Sequence, residues 1–100
     1  MQNGADVNLP NNGGWTPLLR ACEGGNLEAS KFLVENGAEA FVGNSDGETP
    51  LHQACRNGNL SLAKLLVENG AEVNVENINR DTPLHDACQQ SVLGLVQLLL

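Results

Sequence analysis

Residues 47–74 read GETPLHQACRNGNLSLAKLLVENGAEVN, and the pattern recurs 33 positions upstream and downstream. Thr-Pro-Leu occurs at Thr16, Thr49 and Thr82, and Ala-Cys follows in register at Cys22, Cys55 and Cys88. Asn-Gly-Ala recurs as NGADVN (3–8), NGAEAF (36–41) and NGAEVN (69–74). The stretches between align as well, NLEASKFLVENGA beside NLSLAKLLVENGA. A fixed period without insertions marks units that stack on one another, because one such unit cannot bury its apolar face alone.

Each unit carries the local signals of a helix pair. A Thr whose hydroxyl can accept from free backbone N–H groups precedes a Pro whose fixed φ suits the first helical position. Thr16-Pro17, Thr49-Pro50 and Thr82-Pro83 therefore start helices. The helix begun at Thr49 ends near Gly58, as its equivalent ends near Gly25. A second helix is expected over residues 60–68, with Leu60, Ala63, Leu65, Leu66 and Val67 as its apolar side and Lys64 and Glu68 as an exposed i,i+4 pair. Asn69-Gly70 closes it, and an extended, turn-rich segment leads to the next Thr-Pro. The last unit reads as the weakest. Ser91 stands where Gly25 and Gly58 stood, and Gly94 falls inside the second helix at a cost of about 1 kcal/mol. The run Leu98, Leu99 and Leu100, with no polar cap or Gly, reads as a helix leading into another repeat of a longer chain.

Twelve acidic against five basic side chains give a net charge of −7. That balance argues against nonspecific nucleic-acid or anionic-membrane binding, which needs clustered Lys and Arg. It favours a partner with a basic or neutral surface. The sequence contains neither a run of ~18 apolar residues for a membrane span nor a basic start followed by an apolar stretch. An odd number of cysteines, three, argues against a disulfide framework and for an intracellular setting, cytoplasmic or nuclear. The aromatic share is only 3%, so Leu, Val and Ala must build the core.

His52 and Cys55, and likewise His85 and Cys88, lie three apart and share one face of a short helix. A zinc site or a thiol nucleophile with a His base is the chemical reading. Stacked equivalents, however, sit about 8–10 Å apart, whereas zinc ligands must all lie ~2.0–2.3 Å from one ion. That spacing also exceeds the ~7 Å Cα limit for a disulfide. The first copy has Leu19 in place of the His while Cys22 remains, as a packing slot would allow. Cys beside Ala acts as a small buried hydrophobe, and no orienting acid or oxyanion site accompanies it. Thr16, Pro17, Cys22, Thr49, Pro50, His52, Cys55, Thr82, Pro83, His85 and Cys88 are therefore assigned to the framework. The His rings are expected to be partly buried and bonded to Thr hydroxyls and turn backbone. A thiol or zinc site is the alternative that metal analysis and alkylation discriminate. The sequence also lacks G-x-S-x-G, HExxH and a phosphate-binding Gly loop, and no catalytic residue or cofactor is assigned.

Through G-x-TPL-x-x-AC, G-N-L and NGA-[DE]-V-N, nearly the whole chain resembles the ankyrin repeat family. The resemblance implies an all-α repeat solenoid: helix–turn–helix units with β-turn or hairpin fingers, in an L-shaped stack. The chain divides into residues 1–11 (the end of a preceding repeat or loop), 12–44 and 45–77 (repeats) and 78–100 (a truncated repeat). It also implies a non-catalytic module that binds other proteins with its fingertips and the concave face of the first helices. Within this pattern Phe41 replaces the Asn found at Asn8 and Asn74. Arg80 replaces Gly14 and Gly47, losing the residue that eases a positive φ at the fingertip.

The family holds framework positions constant and varies those of the finger and inner helix, which gives a candidate contact surface. It comprises Asn12, Trp15, Arg20 and Glu23; Ser45, Asp46, Glu48, Gln53, Arg56 and Asn57; and Asn77, Ile78, Asp81, Asp86, Gln89 and Gln90. Trp15 leads, since Trp is a common interface anchor and its equivalents are the solvent-type Glu48 and Asp81. The expected role is a monomeric interaction module of an intracellular scaffold or adaptor, taking a basic or mixed-charge protein segment. Two narrower readings stand beside it. GWTPLLRAC (14–22) resembles the segment of histone-tail-reading ankyrin modules, although Leu19 and Arg20 replace the His and acid of such readers. LVENGAEVN (66–74) resembles the pattern favoured by an asparagine hydroxylase acting on ankyrin repeats, with Asn74 as acceptor.

Overall fold

The computed structural model describes residues 6–90 and 92–100. Ser91 and the first residues of the NGADVN copy therefore lie outside the described part. Six α-helices follow in order: α1 Pro17–Glu23, α2 Leu27–Glu35, α3 Pro50–Arg56, α4 Leu60–Glu68, α5 Pro83–Gln89 and α6 Leu93–Leu99. Among the described residues there is no strand, so the fingers are turns rather than paired strands.

The Thr-Pro starts behave as their chemistry dictates. The hydroxyls of Thr16, Thr49 and Thr82 accept from the backbone N–H groups of Leu19, His52 and His85 at 3.1, 3.3 and 3.4 Å. In the second and third units the His ring completes a reciprocal capping box: Thr49 N–H donates to His52 Nδ1 at 3.1 Å and Thr82 N–H to His85 Nδ1 at 2.9 Å. The second helix of a unit is capped by an Asn. Asn26 accepts from Ala29 N–H at 3.0 Å and Asn59 from Leu62 N–H at 3.1 Å. The third unit has Val92 there, which offers no side-chain bond, so its weaker start is physical as well as compositional.

Packing is nearest-neighbour. The inner helices stack α1 on α3 on α5, each paired with its own outer helix, and the outer helices α2, α4 and α6 meet in turn. The molecule is accordingly elongated, 42 × 25 × 20 Å. Leu18, Leu51, Leu62, Leu66 and Leu95 are fully enclosed with Cys22, Cys55, Ala54, Ala63 and Ala87 between them. The alanines and cysteines let the helices approach while the leucines fill the space, at roughly 1.5–3 kcal/mol per buried leucine. In α4 the buried stripe is Leu62, Ala63 and Leu66. Leu60, Leu65 and Val67 pack at its margin, so the expected apolar side is corrected by adding Leu62 at its centre. Lys64 and Glu68 are both exposed but are not ion-paired among the described residues.

Three fingers, 11–15, 44–48 and 77–81, share one construction. Asn11, Asn44 and Asn77 each fold the turn with their side-chain oxygen, which accepts from two backbone N–H groups at 2.8–3.0 Å. The main chain closes it, with Asn11, Asn44 and Asn77 donating to the carbonyls of Trp15, Glu48 and Asp81 at 3.0 Å. One backbone bond then ties each finger to the next: Ser45 N–H to Gly13 O at 3.0 Å and Ile78 N–H to Asp46 O at 2.9 Å. Gly14 and Gly47 adopt φ of 81° and 76°. Arg80 takes the same conformation at 67°, as its register required.

Candidate protein-interaction surface

On the first unit Trp15 sits half-buried immediately before the α1 cap. Gly13 leaves room for the indole, since a Cβ there would lie 3.2 Å from Trp15 Cδ1. The Arg20 guanidinium lies 4.7 Å from the ring centroid, and its Nη1 is 3.1 Å from Glu23 Oε1. Trp15, Arg20 and Glu23 thus form one row, in which the cation stacked on the indole is itself anchored by the acid. The indole expected as an interface anchor is half-buried, with one side on the finger.

The second and third units build a different row. Arg56 Nη2 reaches Glu48 Oε1 at 2.9 Å and Asp86 Oδ2 at 3.4 Å. Glu48 Oε2 also accepts from Asn77 Nδ2 at 2.7 Å, linking two fingers. Asp46 and Ile78 are exposed at fingertips, Ile78 at 66%. Asn57 is exposed, and its amide donates to the carbonyls of Cys22 and Glu23 at 3.2 Å, closing the end of α1. Gln89 is exposed and Asp81 is half-buried.

Three expected contact residues need correction. Gln53 and Asp86 are 6% and 5% exposed. Arg20, Gln53 and Asp86 share one register position, and the two with a helix stacked before them are covered. Asn77 is likewise buried, because it folds its own turn and braces Glu48. Burial raises the Asp86 pKa, against which the positive charge of Arg56 acts to lower it. Glu48 and Asp81 add to the rise. Arg56 is the only basic group in this row, so Glu48, Asp81 and Asp86 leave it acidic.

The His-x-x-Cys pairs resolve by position in the stack. His52 is fully enclosed. Because Thr49 N–H donates to Nδ1, the ring proton is on Nε2, which donates to the Asp81 carbonyl of the next finger at 2.9 Å. The expectation of a partly buried ring is therefore corrected to full burial. His85 keeps the cap but is exposed. Cys22 and Cys55 are enclosed, and burial pushes their thiols up to about 11 and about 12. Cys88 is exposed, contrary to a buried framework thiol, since no described helix covers that side of α5. An open groove of about 360 Å³ lies there, lined by Asp81, Thr82, Leu84, His85, Cys88 and Gln89. Among the described residues no three His, Cys, Asp or Glu side chains are placed to hold a metal ion.

The ankyrin repeat family model matches residues 1–77 in three copies. The chain belongs to the ankyrin repeat family. Comparison with curated proteins gave no match. Ankyrin repeats are generally protein–protein interaction modules and typically non-catalytic. Beyond residue 77 the ankyrin geometry continues in α5 and α6, with the same Thr-Pro start and capping box. No described helix is long and apolar enough to cross a membrane.

The signal that sequence reading missed is Asn11, Asn44 and Asn77. Their 33-residue spacing matches that of Thr-Pro-Leu, and constancy in every copy is what separates a turn-building residue from a contact residue.

Proposed function

We propose that this ankyrin domain is an interaction module of a larger intracellular scaffold or adaptor, and that it captures a basic or mixed-charge protein segment along its fingertips and inner helices. The observation that carries this reading is the pairing of two unlike rows: an indole with a stacked guanidinium at Trp15 and Arg20, and an under-neutralised acidic row around Arg56. A partner side chain of apolar body and positive head would lie against the first and pair with the second. Asp46, Glu48, Arg56, Asp81 and Ile78 would flank it. Binding of the domain to arrays of basic, neutral and acidic peptides tests the reading. Retention of basic peptides that weakens with salt is expected, and preference for acidic peptides would sink it. The same array carries histone-tail peptides and tests that narrower reading.

A second reading makes Asn74 a hydroxylation acceptor, and its exposure supports it. Asn8, its equivalent, is instead engaged on both ends, donating to Gly37 O at 3.0 Å and accepting from Glu39 N–H at 2.9 Å. Incubation with an ankyrin-directed asparagine hydroxylase should add one oxygen mapped to Asn74, and an unchanged mass refutes it.

A further inference from the structure

Four Asn-Gly dipeptides lie among the described residues, beginning at Asn12, Asn36, Asn57 and Asn69. Such a pair carries its own reactivity. Glycine has no Cβ to shield its nitrogen, so that nitrogen can attack the side-chain carbonyl carbon of the preceding Asn. Attack needs a side-chain amide free to swing over the following peptide bond and a Gly N–H free to give up its proton. Three of the four pairs have neither freedom. Asn36 Nδ2 donates to Phe32 O and Asn69 Nδ2 to Leu65 O, both at 2.8 Å. Asn57 Nδ2 donates to the carbonyls of Cys22 and Glu23 at 3.2 Å. Their glycines are held by the last turn of a helix: Gly37 N–H to Val34 O at 3.1 Å, Gly58 N–H to Cys55 O at 3.1 Å and Gly70 N–H to Val67 O at 3.2 Å. Asn12 differs on both counts. It is exposed at the tip of finger 1, and its side chain is bonded to nothing among the described residues. The Gly13 N–H is held by the Asn11 side chain alone, at 2.9 Å in an exposed turn. Rotation of one side chain frees it, whereas the other three require a helix end to unwind.

We propose that Asn12 is a site of spontaneous deamidation, and that the product unlatches finger 1 from finger 2. The Gly13 nitrogen gives its proton to solvent base and bonds to Asn12 Cγ. The Cγ–Nδ2 bond breaks, and the departing amide takes up a proton and leaves as ammonia. Water then opens the cyclic imide at either of its carbonyls, giving aspartate or isoaspartate. Both products add a negative charge to finger 1. In isoaspartate the main chain runs through Cβ and is one bond longer between Asn11 and Gly13. Finger 1 has no slack for that bond. Gly14 N–H donates to Asn11 O at 2.9 Å and Asn11 N–H to Trp15 O at 3.0 Å, so both closures span the lengthened segment. Finger 2 is pressed against it, since a Cβ on Gly14 would lie 2.9 Å from the Ser45 backbone nitrogen. The bond between the fingers, Ser45 N–H to Gly13 O at 3.0 Å, is therefore lost, and Trp15 moves with its finger.

The full chain is incubated in warm, mildly alkaline buffer below its melting temperature. It is then mapped by peptide mass spectrometry with fragmentation that separates aspartate from isoaspartate. Asn12 should convert at least about tenfold faster than Asn36, Asn57 and Asn69, and in strong denaturant the four rates should draw together. Comparable rates in the native protein, or an Asn12 lead that survives denaturant unchanged, overturn the site. In the converted protein the Ser45 amide should exchange at least about tenfold faster, with the Ile78 amide, bonded to Asp46 O, unchanged. Emission from Trp15, the single Trp of the chain, should drift in step with conversion. Asn12→Ser installs the residue that finger 2 carries at Ser45, and should hold both readouts steady through the same incubation. A Ser45 amide still protected in converted protein, or the same drift in Asn12→Ser, overturns the unlatching.

Discussion

Replacing His52 and His85 by Ala, one at a time, separates what a motif does from what its neighbours make of it. Both sit in TPLH[QD]AC segments and both complete a capping box. His52 is fully enclosed and also donates to the Asp81 carbonyl at 2.9 Å. His52→Ala leaves that carbonyl and the Thr49 N–H without partners in a site closed to water, at about 1–3 kcal/mol for each buried orphan. With the cavity added, a loss of about 3–4 kcal/mol is expected. His85 is exposed, so water replaces what its ring gave to Thr82, and the loss is about 1 kcal/mol, the usual worth of a cap. At about 4–8 °C per kcal/mol for a domain of this size, the two variants should melt at least ~8 °C apart by far-UV circular dichroism. His52→Leu should fall between them, because Leu19 fills the same slot in the first unit with no exposure. Equal losses for His52→Ala and His85→Ala would refute the claim that stacking, and not the motif, gives His52 its weight.

Three further outcomes follow from named contacts. Brief alkylation of the native protein near neutral pH should modify Cys88 alone, since Cys22 and Cys55 are enclosed with thiols pushed up to about 11 and about 12; rapid triple labelling in peptide mass maps would contradict this. Burial raises the Asp86 pKa above 3.8, so the folded state holds that proton more tightly than the unfolded chain. Its stabilising share is present below 3.8 and is lost as pH rises through the raised value. Asp86→Asn should therefore gain on the parent in urea midpoint as pH rises from about 3 to 7, and a pH-independent difference refutes the assignment. Phe41 is 50% exposed and stands where Asn8 bridges to the following loop. Phe41→Asn should restore that bridge, toward Gly70 O and Glu72 N–H, and raise stability by about 1 kcal/mol in denaturant titration; a lowered midpoint counts against it.

Much of the fold was legible because each unit repeats its punctuation. Thr-Pro starts, Gly at the ends of first helices and the Asn-Gly breaks are local signals, and all fall where the backbone needs them. Arg80 was legible for the same reason, as a register position whose φ its glycine mates had declared. Burial within a column was not legible. Gln53 and Asp86 vary from copy to copy like contact residues, yet each lies beneath the helix before it, while Arg20 at the same register is exposed. Cys88 differs from Cys22 and Cys55 for the mirror-image reason on the following side. Sequence fixes which residues share a position; exposure depends on what stacks against that position, which no single unit encodes.

The central claim is that the recurrent residues hold the stack and the variable row around Trp15 captures the partner. It is tested most directly by the Kd of one array-selected basic peptide for Trp15→Ala and His85→Ala. Trp15→Ala should weaken binding at least tenfold, or ~1.4 kcal/mol, whereas His85→Ala should leave Kd unchanged while lowering Tm. Undiminished binding by Trp15→Ala, or loss of binding in folded His85→Ala, would contradict the account.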